Sequence, residues 1–239
     1  MLIRKILVIF TMIITTSAWA DDDVFNTHRL PIGNPETKYS YCAVKLNRIF
    51  DTRANSEMTY ERLVEKLSQY RIVMLGESHT SENHHIVQLN IMKGLMESGA
   101  KVCLALEMFN PQQDQVLEEY IVGKISEQEF LDQSDYFNTW GHNYRYYKPI
   151  FNYARENNIK MYGVNIDHIY ASKIGRGGIE SVSPEQSEKI PEIDTSNVEH
   201  RFYFKTAMEG MDALSPMQFN KLYEAQCLWD AAMGEGAIK

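Results

Sequence analysis

The chain has 239 residues, enough for one domain with a sizeable core. Its formal net charge of −8 argues against nucleic acid or an anionic membrane surface as its main partner. Its three cysteines allow at most one disulfide within a monomer.

The first 20 residues have the pattern of a signal peptide. Arg4 and Lys5 precede an uncharged apolar run, residues 6–14, which is shorter than the about 20 residues that a membrane-spanning helix needs. Residues 18–20, Ala-Trp-Ala, have the small-x-small form that signal peptidase accepts. We expect cleavage after Ala20 and export to the periplasm or medium. Lipid attachment is not expected, because no cysteine directly follows the apolar run. The alternative is an uncleaved anchor. Cleavage leaves 219 residues and a formal charge of −10.

The remaining chain is expected to divide near residue 41. Residues 21–41 are polar, contain two prolines and are expected to form an extended lead-in, and residues 42–239 are expected to form one domain. Cys42 and Cys227 can form a disulfide in an oxidising compartment. Cys103 lies in an apolar, strand-like run and is expected to be a buried thiol.

Strand-like and helical patterns alternate along the domain. The predicted strands are residues 47–51, 72–75, 102–106 and 159–165. The predicted helices begin at Thr59, Ser81, Gln112, Ser126, Pro149 and Ser183, and residues 199–233 are expected to be wholly helical. This alternation predicts an α/β fold with a mainly parallel central sheet flanked by helices. The carboxyl ends of such strands meet at one edge of the sheet, where ligands gather.

Three of these predicted strands end on residues that can bind a ligand or catalyse. Glu77 and His79 follow the strand 72–75, Glu107 follows the next, and Asn165 ends the third. Carboxylates and an imidazole at one edge can hold a divalent metal or exchange protons. Alternatively, Glu77 and His79 only cap the next helix and pair with each other. A charged side chain directly after a buried strand has a high free-energy cost of desolvation unless it forms a pair or takes part in binding or catalysis.

Two adjacent histidines lie about one turn into the helix that begins at Ser81. Neighbouring helical side chains diverge by about 100°, so His84 and His85 cannot both face the site. We predict that His85 faces it. The alternative is a purely structural histidine.

The segment from Trp140 to Pro149 combines aromatic and basic residues. A planar, apolar ligand that carries carboxylates suits such a segment, and tyrosine oxygen is an axial ligand to ferric haem. The candidate ligand contacts are His142, Tyr144, Arg145, Tyr146, Tyr147 and Lys148, with one tyrosine on the iron and the basic side chains on the propionates. The alternative is that the rings pack the start of a helix against the core.

These stretches together resemble the ChaN-like haem-binding uptake family of the wider Tiki superfamily. The matching motifs are, in order, LGESH (75–79), HH with Gln88 (84–88), ALEMF (105–109), YIVGKISEQEF (120–130), WG (140–141), YKPIF (147–151), VN (164–165) and AQ-x-LWD-x-x-M (225–233). Each motif is weak alone, but the ordered set is specific and covers residues 51–233. The resemblance implies haem binding, a role in haem or iron acquisition, and iron ligation by tyrosine.

Two features depart from the family pattern. Family members are expected to continue into another strand with a second Gly-x-x-His motif, which this sequence does not contain, and this predicts a C-terminally truncated fold. Residues 166–168, Ile-Asp-His, stand where the family often has a proline and a basic residue. The superfamily also includes metal-dependent peptidases and erythromycin esterases, whose Gly-Glu-x-His and strand-end glutamate map onto Glu77, His79 and Glu107.

Three functions are therefore weighed. The first is an exported haem-binding protein, which the aromatic and basic segment favours. The second is a metal-dependent hydrolase in which Glu77 is the base and His79 and Glu107 hold a divalent metal or orient water; the absent second histidine motif counts against it. The third is a non-catalytic interaction protein. Whether the chain is an enzyme is left open, and a second copy and an outer-membrane uptake system are considered as further partners.

Overall fold

The computed structural model describes residues 45–208 and 211–238, without the side chain of Asp212. The predicted signal peptide, the lead-in and Cys42 lie outside the described residues. Within them, no helix is both long enough and apolar enough to cross a membrane.

Helices dominate the described part of the chain. The strands are β1 (Ile49–Asp51), β2 (Ser56–Met58), β3 (Leu104–Leu106) and β4 (Met161–Gly163). The α-helices are α1 (Tyr60–Leu67), α2 (Glu82–Glu97), α3 (Asp114–Ile121), α4 (Glu127–Gln133), α5 (Tyr136–Thr139), α6 (Lys148–Glu156), α7 (His168–Gly177), α8 (Pro184–Ser187), α9 (Val198–Ala207) and α10 (Pro216–Ile238). Short 3-10 helices cover Pro111–Gln113, Tyr144–Tyr146, Ile179–Ser181 and Met211–Ala213.

Helix starts follow the capping residues of the sequence. The Thr59 side chain accepts a hydrogen bond from the backbone N–H of Arg62, which satisfies a free donor at the start of α1. Ser126 forms a complete capping box with Glu129 at α4. Ser183 forms a second capping box with Gln186 at α8. The starts predicted at these three residues are therefore confirmed.

The prediction of a mixed α/β fold is confirmed, but the described sheets are small. β1 and β2 form an antiparallel hairpin, and β3 pairs with β4 in parallel, with Ala105 opposite Tyr162. Residues 72–75, predicted as a buried strand, form no strand and pair with no described strand. Met74 is 91% exposed there. The run is apolar enough for a buried strand, but burial needs partners on both sides.

One face of the β3–β4 pair is open. Met161 packs into the core on one side, whereas Ala105 and Tyr162, on the other, are exposed. Cys103 lies just before β3 and is also exposed, so the prediction that it is a buried thiol is wrong. Its position in an apolar run predicted burial because both faces of the sheet were expected to be covered.

The main core is built from aromatic side chains around α3, α4 and α6. Tyr120 and Phe130 stack with their ring centroids 4.4 Å apart, and Phe109 and Phe151 pack on Phe130 at 5.8 and 5.7 Å. All four rings are almost completely buried. Such rings bury a large apolar area and favour offset or edge-on contacts, so they fix the position of α6. The segment before α6 is thereby held beside this core.

The last helix places an acidic residue near the carboxyl ends of the strands. Ala171 and Ile174 of α7 pack on Leu228 of α10. Farther along α10, a Cβ added to Gly236 would lie 2.8 Å from the Cβ of Val164, just after β4, so glycine permits this close approach. Asp230 of α10 is carried to the same end of the sheet.

Residues 199–233, predicted to be wholly helical, are divided between two α-helices. α9 ends at Ala207 and the 3-10 helix Met211–Ala213 follows; both are assigned to a different compact unit from α10. α10 then begins at Pro216, where the Ser215 hydroxyl accepts from the backbone N–H of Gln218. The Gln218 side chain accepts from the backbone N–H of Ser215 in return. This is a helix start with proline in the first turn, and it explains the break.

Candidate functional site

The centre of the site is the Glu77 carboxylate, whose side chain is only 13% exposed. Its Oε1 atom accepts from the Tyr147 hydroxyl at 2.5 Å and from His79 Nδ1 at 2.9 Å. Its Oε2 atom accepts from Gln88 Nε2 at 2.9 Å. His85 Nε2 lies 3.1 Å from Oε2 but is too poorly aligned for a directed hydrogen bond. Side chains from three parts of the chain therefore converge on one carboxylate.

The helix α2 supplies two of these neighbours because of its periodicity. His85 and Gln88 are three residues apart and share one helix face. His85 is buried, and its Nδ1 atom bonds the carbonyl oxygen of Ser81 at 2.7 Å. His84, one residue earlier, is exposed and accepts from the backbone N–H of Ser78. The two histidines therefore diverge as expected, and His85 faces Glu77.

The environment of Glu77 favours its ionised form. Burial alone would raise its pKa, but the hydrogen bonds from Tyr147, His79 and Gln88, together with the charge of His85, outweigh burial and hold the pKa below its usual value. A carboxylate with three donors and a low pKa is a stable acceptor and a weak base.

Next to Glu77, three rings form what we call the ring cluster: His79, Trp140 and His142. The His79 and Trp140 centroids are 4.7 Å apart at an interplanar angle of 72°, and the His142 centroid is 4.6 Å from that of His79. His79 is 37% exposed, and its Nε2 atom makes no hydrogen bond within the described part of the chain. Burial lowers the pKa of His142, the charge of His79 lowers it further, and Glu77 opposes both. The cluster therefore presents imidazole nitrogen at a surface that solvent reaches.

Glu107 lies on the same side of the molecule but is not bonded to Glu77 or His79. Loss of solvation raises its pKa although part of the residue is exposed; the charge of His79 opposes the rise, and Glu77 and Asp230 add to it. Its side chain makes no hydrogen bond or ion pair with any described residue. Across residues 45–208 and 211–238, no group of three or more His, Cys, Asp or Glu residues could hold a metal ion. The divalent metal expected at Glu77, His79 and Glu107 is therefore unsupported.

Asn165 connects the chain segments that follow β3 and β4. Its side-chain amide donates to the carbonyl oxygen of Glu107 at 2.9 Å, and its Oδ1 atom accepts from the backbone N–H of Ile166 at 2.8 Å. These bonds order the backbone at the carboxyl ends of the strands. The Asn165 side chain therefore joins the two segments that follow β3 and β4.

The three candidate tyrosines occupy different environments. Tyr144 and Tyr147 are 6% and 3% exposed, and burial raises the pKa of both phenols well above the usual value. The Tyr144 hydroxyl faces Glu127 at 3.4 Å, which also disfavours a phenolate. Tyr146 is half-buried and stacks on His85 with the centroids 5.8 Å apart. Tyr146 is therefore the tyrosine best placed to reach a ligand.

The two basic residues of the segment already have carboxylate partners. Arg145 Nη2 lies 3.1 Å from Glu82 Oε1, and both side chains are mostly exposed. Lys148 Nζ lies 2.6 Å from Glu127 Oε1. Exposed ion pairs contribute about 0–1 kcal/mol, so Arg145 can exchange its partner for the carboxylate of a ligand at little cost.

Two neighbours of the site were not predicted as site residues. Gln88 could have been found from its place three residues after His85 on one helix face. Asp230 reaches Glu107 electrostatically from a helix near the end of the chain, and no local pattern connects the two. The bond between Tyr147 and Glu77 also joins distant residues and has no local signal.

A family model and a solved structure both match this chain. Residues 63–239 match the family model described as haem-binding uptake, Tiki superfamily, ChaN. The fold is similar to a solved structure described as cofacial heme binding to ChaN of Campylobacter jejuni, with a TM-score of 0.64, 20% identity, and coverage of 80% of this chain and 74% of that chain. At this identity the similarity establishes the fold. The comparison with curated proteins gave no match.

Proposed function

The chain belongs to the ChaN haem-binding uptake family of the Tiki superfamily, and on that premise we propose that it binds haem and takes part in haem or iron acquisition. The ring cluster is the observation that carries the proposal. His79 offers an imidazole nitrogen without a hydrogen-bond partner at a half-exposed position, next to the flat side chains of Trp140 and His142. These are features that a planar ligand with a central metal needs.

The residues fit haem on chemical grounds. Haem requires an axial nitrogen, oxygen or sulfur donor, apolar or aromatic surfaces for the ring, and cations for the propionates. Here His79, His142 and Tyr146 are the accessible donors, Trp140 supplies an aromatic surface, and Arg145 is an exposed cation. When bound, haem would supply its iron centre, while the chain binds and orients it.

This geometry does not support the metal-dependent hydrolase. Its base would be Glu77, but that carboxylate accepts three hydrogen bonds and has a lowered pKa. General base catalysis is most effective when the pKa lies near the working pH. The structure offers no observation that favours the interaction protein either.

A titration tests haem binding directly. Adding haem to the purified protein should give a saturable change in the Soret absorption. This saturable change should be lost when Trp140 is replaced by Asp. His168→Ala, at a mostly exposed histidine that starts α7 and contacts Asp167, is the matched control and should titrate like the parent. A spectrum that matches free haem at every ratio would contradict the proposed function.

We also propose export, supported by the basic, apolar and Ala-Trp-Ala sequence of residues 4–20. In the periplasm or medium, an outer-membrane uptake system becomes the proposed partner from which haem arrives or to which it passes. N-terminal sequencing of protein from the producing cells should begin at Asp21. A chain that still begins at Met1 would contradict export without affecting haem binding.

A second copy of the chain is the other proposed partner. Size-exclusion chromatography with light scattering, with and without haem, should then show a dimer in at least one state. A monomer in both states would remove this partner while leaving haem binding intact.

A further inference from the structure

We infer that an open cleft beside the end of α3 binds a free α-amino acid, with the ligand carboxylate on Arg155 and the ligand ammonium group toward Glu156. Both residues line this cleft, which has a volume of about 570 Å³. Pockets for small molecules commonly have volumes of about 300–1,000 Å³. Neither Glu77 nor the ring cluster lines the cleft, and the inference does not depend on haem binding.

The aromatic core holds Arg155 in place. Its guanidinium carbon lies over the Tyr120 ring, 4.7 Å from the ring centroid. Tyr120 is almost completely buried and stacks on Phe130, so the ring is a fixed support. A guanidinium group is attracted to the face of a ring, while its N–H groups lie in its own plane and stay available. Tyr120 therefore orients Arg155 without using its donors.

These donors have no acceptor among the described residues. Arg155 is half-buried, and its guanidinium group forms neither an ion pair nor a hydrogen bond within residues 45–208 and 211–238. The last carbonyl oxygens of α3, at the edge of the cleft, accept from the backbone N–H groups of residues 122–124 instead. A guanidinium group offers five donors in a planar fork that matches a carboxylate. The missing partner of Arg155 is therefore a carboxylate of a ligand.

Two further residues complete the carboxylate side of the cleft. Gly123 has a φ of +74°, and a Cβ added there would lie 3.6 Å from Arg155 Nη2, so a larger side chain would cover the guanidinium group. Asn152 lies three residues before Arg155 and shares its face of α6. The Asn152 Oδ1 atom accepts from the Tyr120 hydroxyl at 3.4 Å, which leaves its Nδ2 donors for a ligand.

Two glutamates in the wall decide which kind of carboxylate ligand fits. Glu127 is neutralised by Lys148 at 2.6 Å and also accepts from the Tyr144 hydroxyl at 3.4 Å. Glu156 is exposed and forms no ion pair with any described residue. Its charge repels a phosphate dianion and attracts an ammonium group. A free amino acid carries its carboxylate and ammonium groups on one carbon, which suits the neighbouring residues Arg155 and Glu156.

Isothermal titration calorimetry with L-leucine tests the site, because the apolar side chain of leucine suits the exposed Val122 in the wall. Two matched probes each lack one charged group: isocaproate lacks the ammonium group, and L-leucinamide lacks the carboxylate. Leucine should bind the parent protein with saturable heat. Isocaproate should bind more weakly than leucine, and leucinamide should give no saturable heat.

Variants of the two charged residues separate their roles. Arg155→Gln should weaken leucine binding by about 10- to 100-fold, the change expected for a lost charge-assisted pair. Arg155→Lys keeps the charge but not the planar fork and should bind leucine with intermediate affinity. Glu156→Gln should no longer prefer leucine over isocaproate. Arg62→Gln, which removes an exposed guanidinium group on α1, is the matched control and should bind leucine like the parent.

Three results would overturn the inference. The first is the absence of saturable heat with leucine, and the second is unchanged leucine binding by Arg155→Gln that circular dichroism shows to be folded. The third is displacement of leucine by inorganic phosphate, which would identify a general anion site. Haem should titrate Arg155→Gln like the parent, so a failure of this site is distinguishable from a failure of the proposed haem binding.

Discussion

The segment from Trp140 to Pro149 contributes to two neighbouring regions that use similar side chains for different tasks. Trp140 and His142 belong to the ring cluster, which stays partly exposed beside Glu77. Tyr144 and Tyr147 turn inwards and stack on Phe151 in the core. The comparison shows that aromatic density in a sequence marks a segment near a site, while solvent access decides which rings can meet a ligand.

The largest expected effect belongs to the core. Phe151 is fully buried and contacts four other rings, so Phe151→Ala should lower the free energy of unfolding by about 3–5 kcal/mol, measured by urea denaturation. Phe137→Ala, at a mostly exposed ring, is the matched control and should cost far less. Equal losses in the two variants would show that the division between core and surface is drawn wrongly.

The next effect separates two adjacent tyrosines. Tyr147→Phe removes a hydroxyl that donates to the ionised Glu77, and the loss of such a bond should cost about 1.5–3 kcal/mol of unfolding free energy. Tyr146→Phe removes a hydroxyl with no hydrogen bond to described residues and should stay within about 0.5 kcal/mol of the parent. If both variants denature at the same urea concentration, Tyr147 is not a support of the site.

A pH dependence sharpens the same division. Burial raises the pKa of Tyr144, so the folded state keeps its proton where the unfolded state, with a pKa of about 10, loses it. The stabilisation is complete below pH 10 and is lost as the pH rises above it, by up to about 1.4 kcal/mol per pH unit. Urea midpoints between pH 8 and 11 should therefore fall less steeply in Tyr144→Phe than in the parent. Parallel slopes would argue that the phenol is accessible.

The smallest effect on stability is expected at the surface of the segment. Arg145→Gln breaks an exposed ion pair with Glu82 and should change the unfolding free energy by no more than about 1 kcal/mol. Haem affinity should nevertheless fall, and its salt dependence should weaken, because a cation for a propionate is removed. A variant that loses stability but keeps its haem affinity would reverse the roles assigned to this residue.

Local chemistry was predictable from the sequence where it acts over a few residues. The caps at Thr59, Ser126 and Ser183 start their helices because each hydroxyl accepts a hydrogen bond from the backbone N–H three residues away. The contact between Glu77 and His79, two residues apart, was anticipated for the same reason.

What depends on distant partners was not predictable. Residues 72–75 are apolar enough for a buried strand, but whether they are covered depends on other strands. Whether Tyr144 and Tyr147 are buried depends on contacts with rings and carboxylates that are distant in the sequence. Ser215 and Pro216 mark a new helix start that the helical prediction for residues 199–233 overlooks.

The exposed run from Ile72 to Leu75 has a practical consequence for any solution experiment on this protein. Met74 is 91% exposed, Ile72 and Leu75 are partly exposed, and residues 72–77 make no backbone-to-backbone hydrogen bonds among the described residues. Exposed, unpaired extended segments promote association between molecules, and that tendency grows with protein concentration. Added salt screens attraction between charges but does not weaken apolar contact. Dilution therefore reports self-association, and ionic strength reports charge-assisted ligand binding. The two variables separate these processes in one sample.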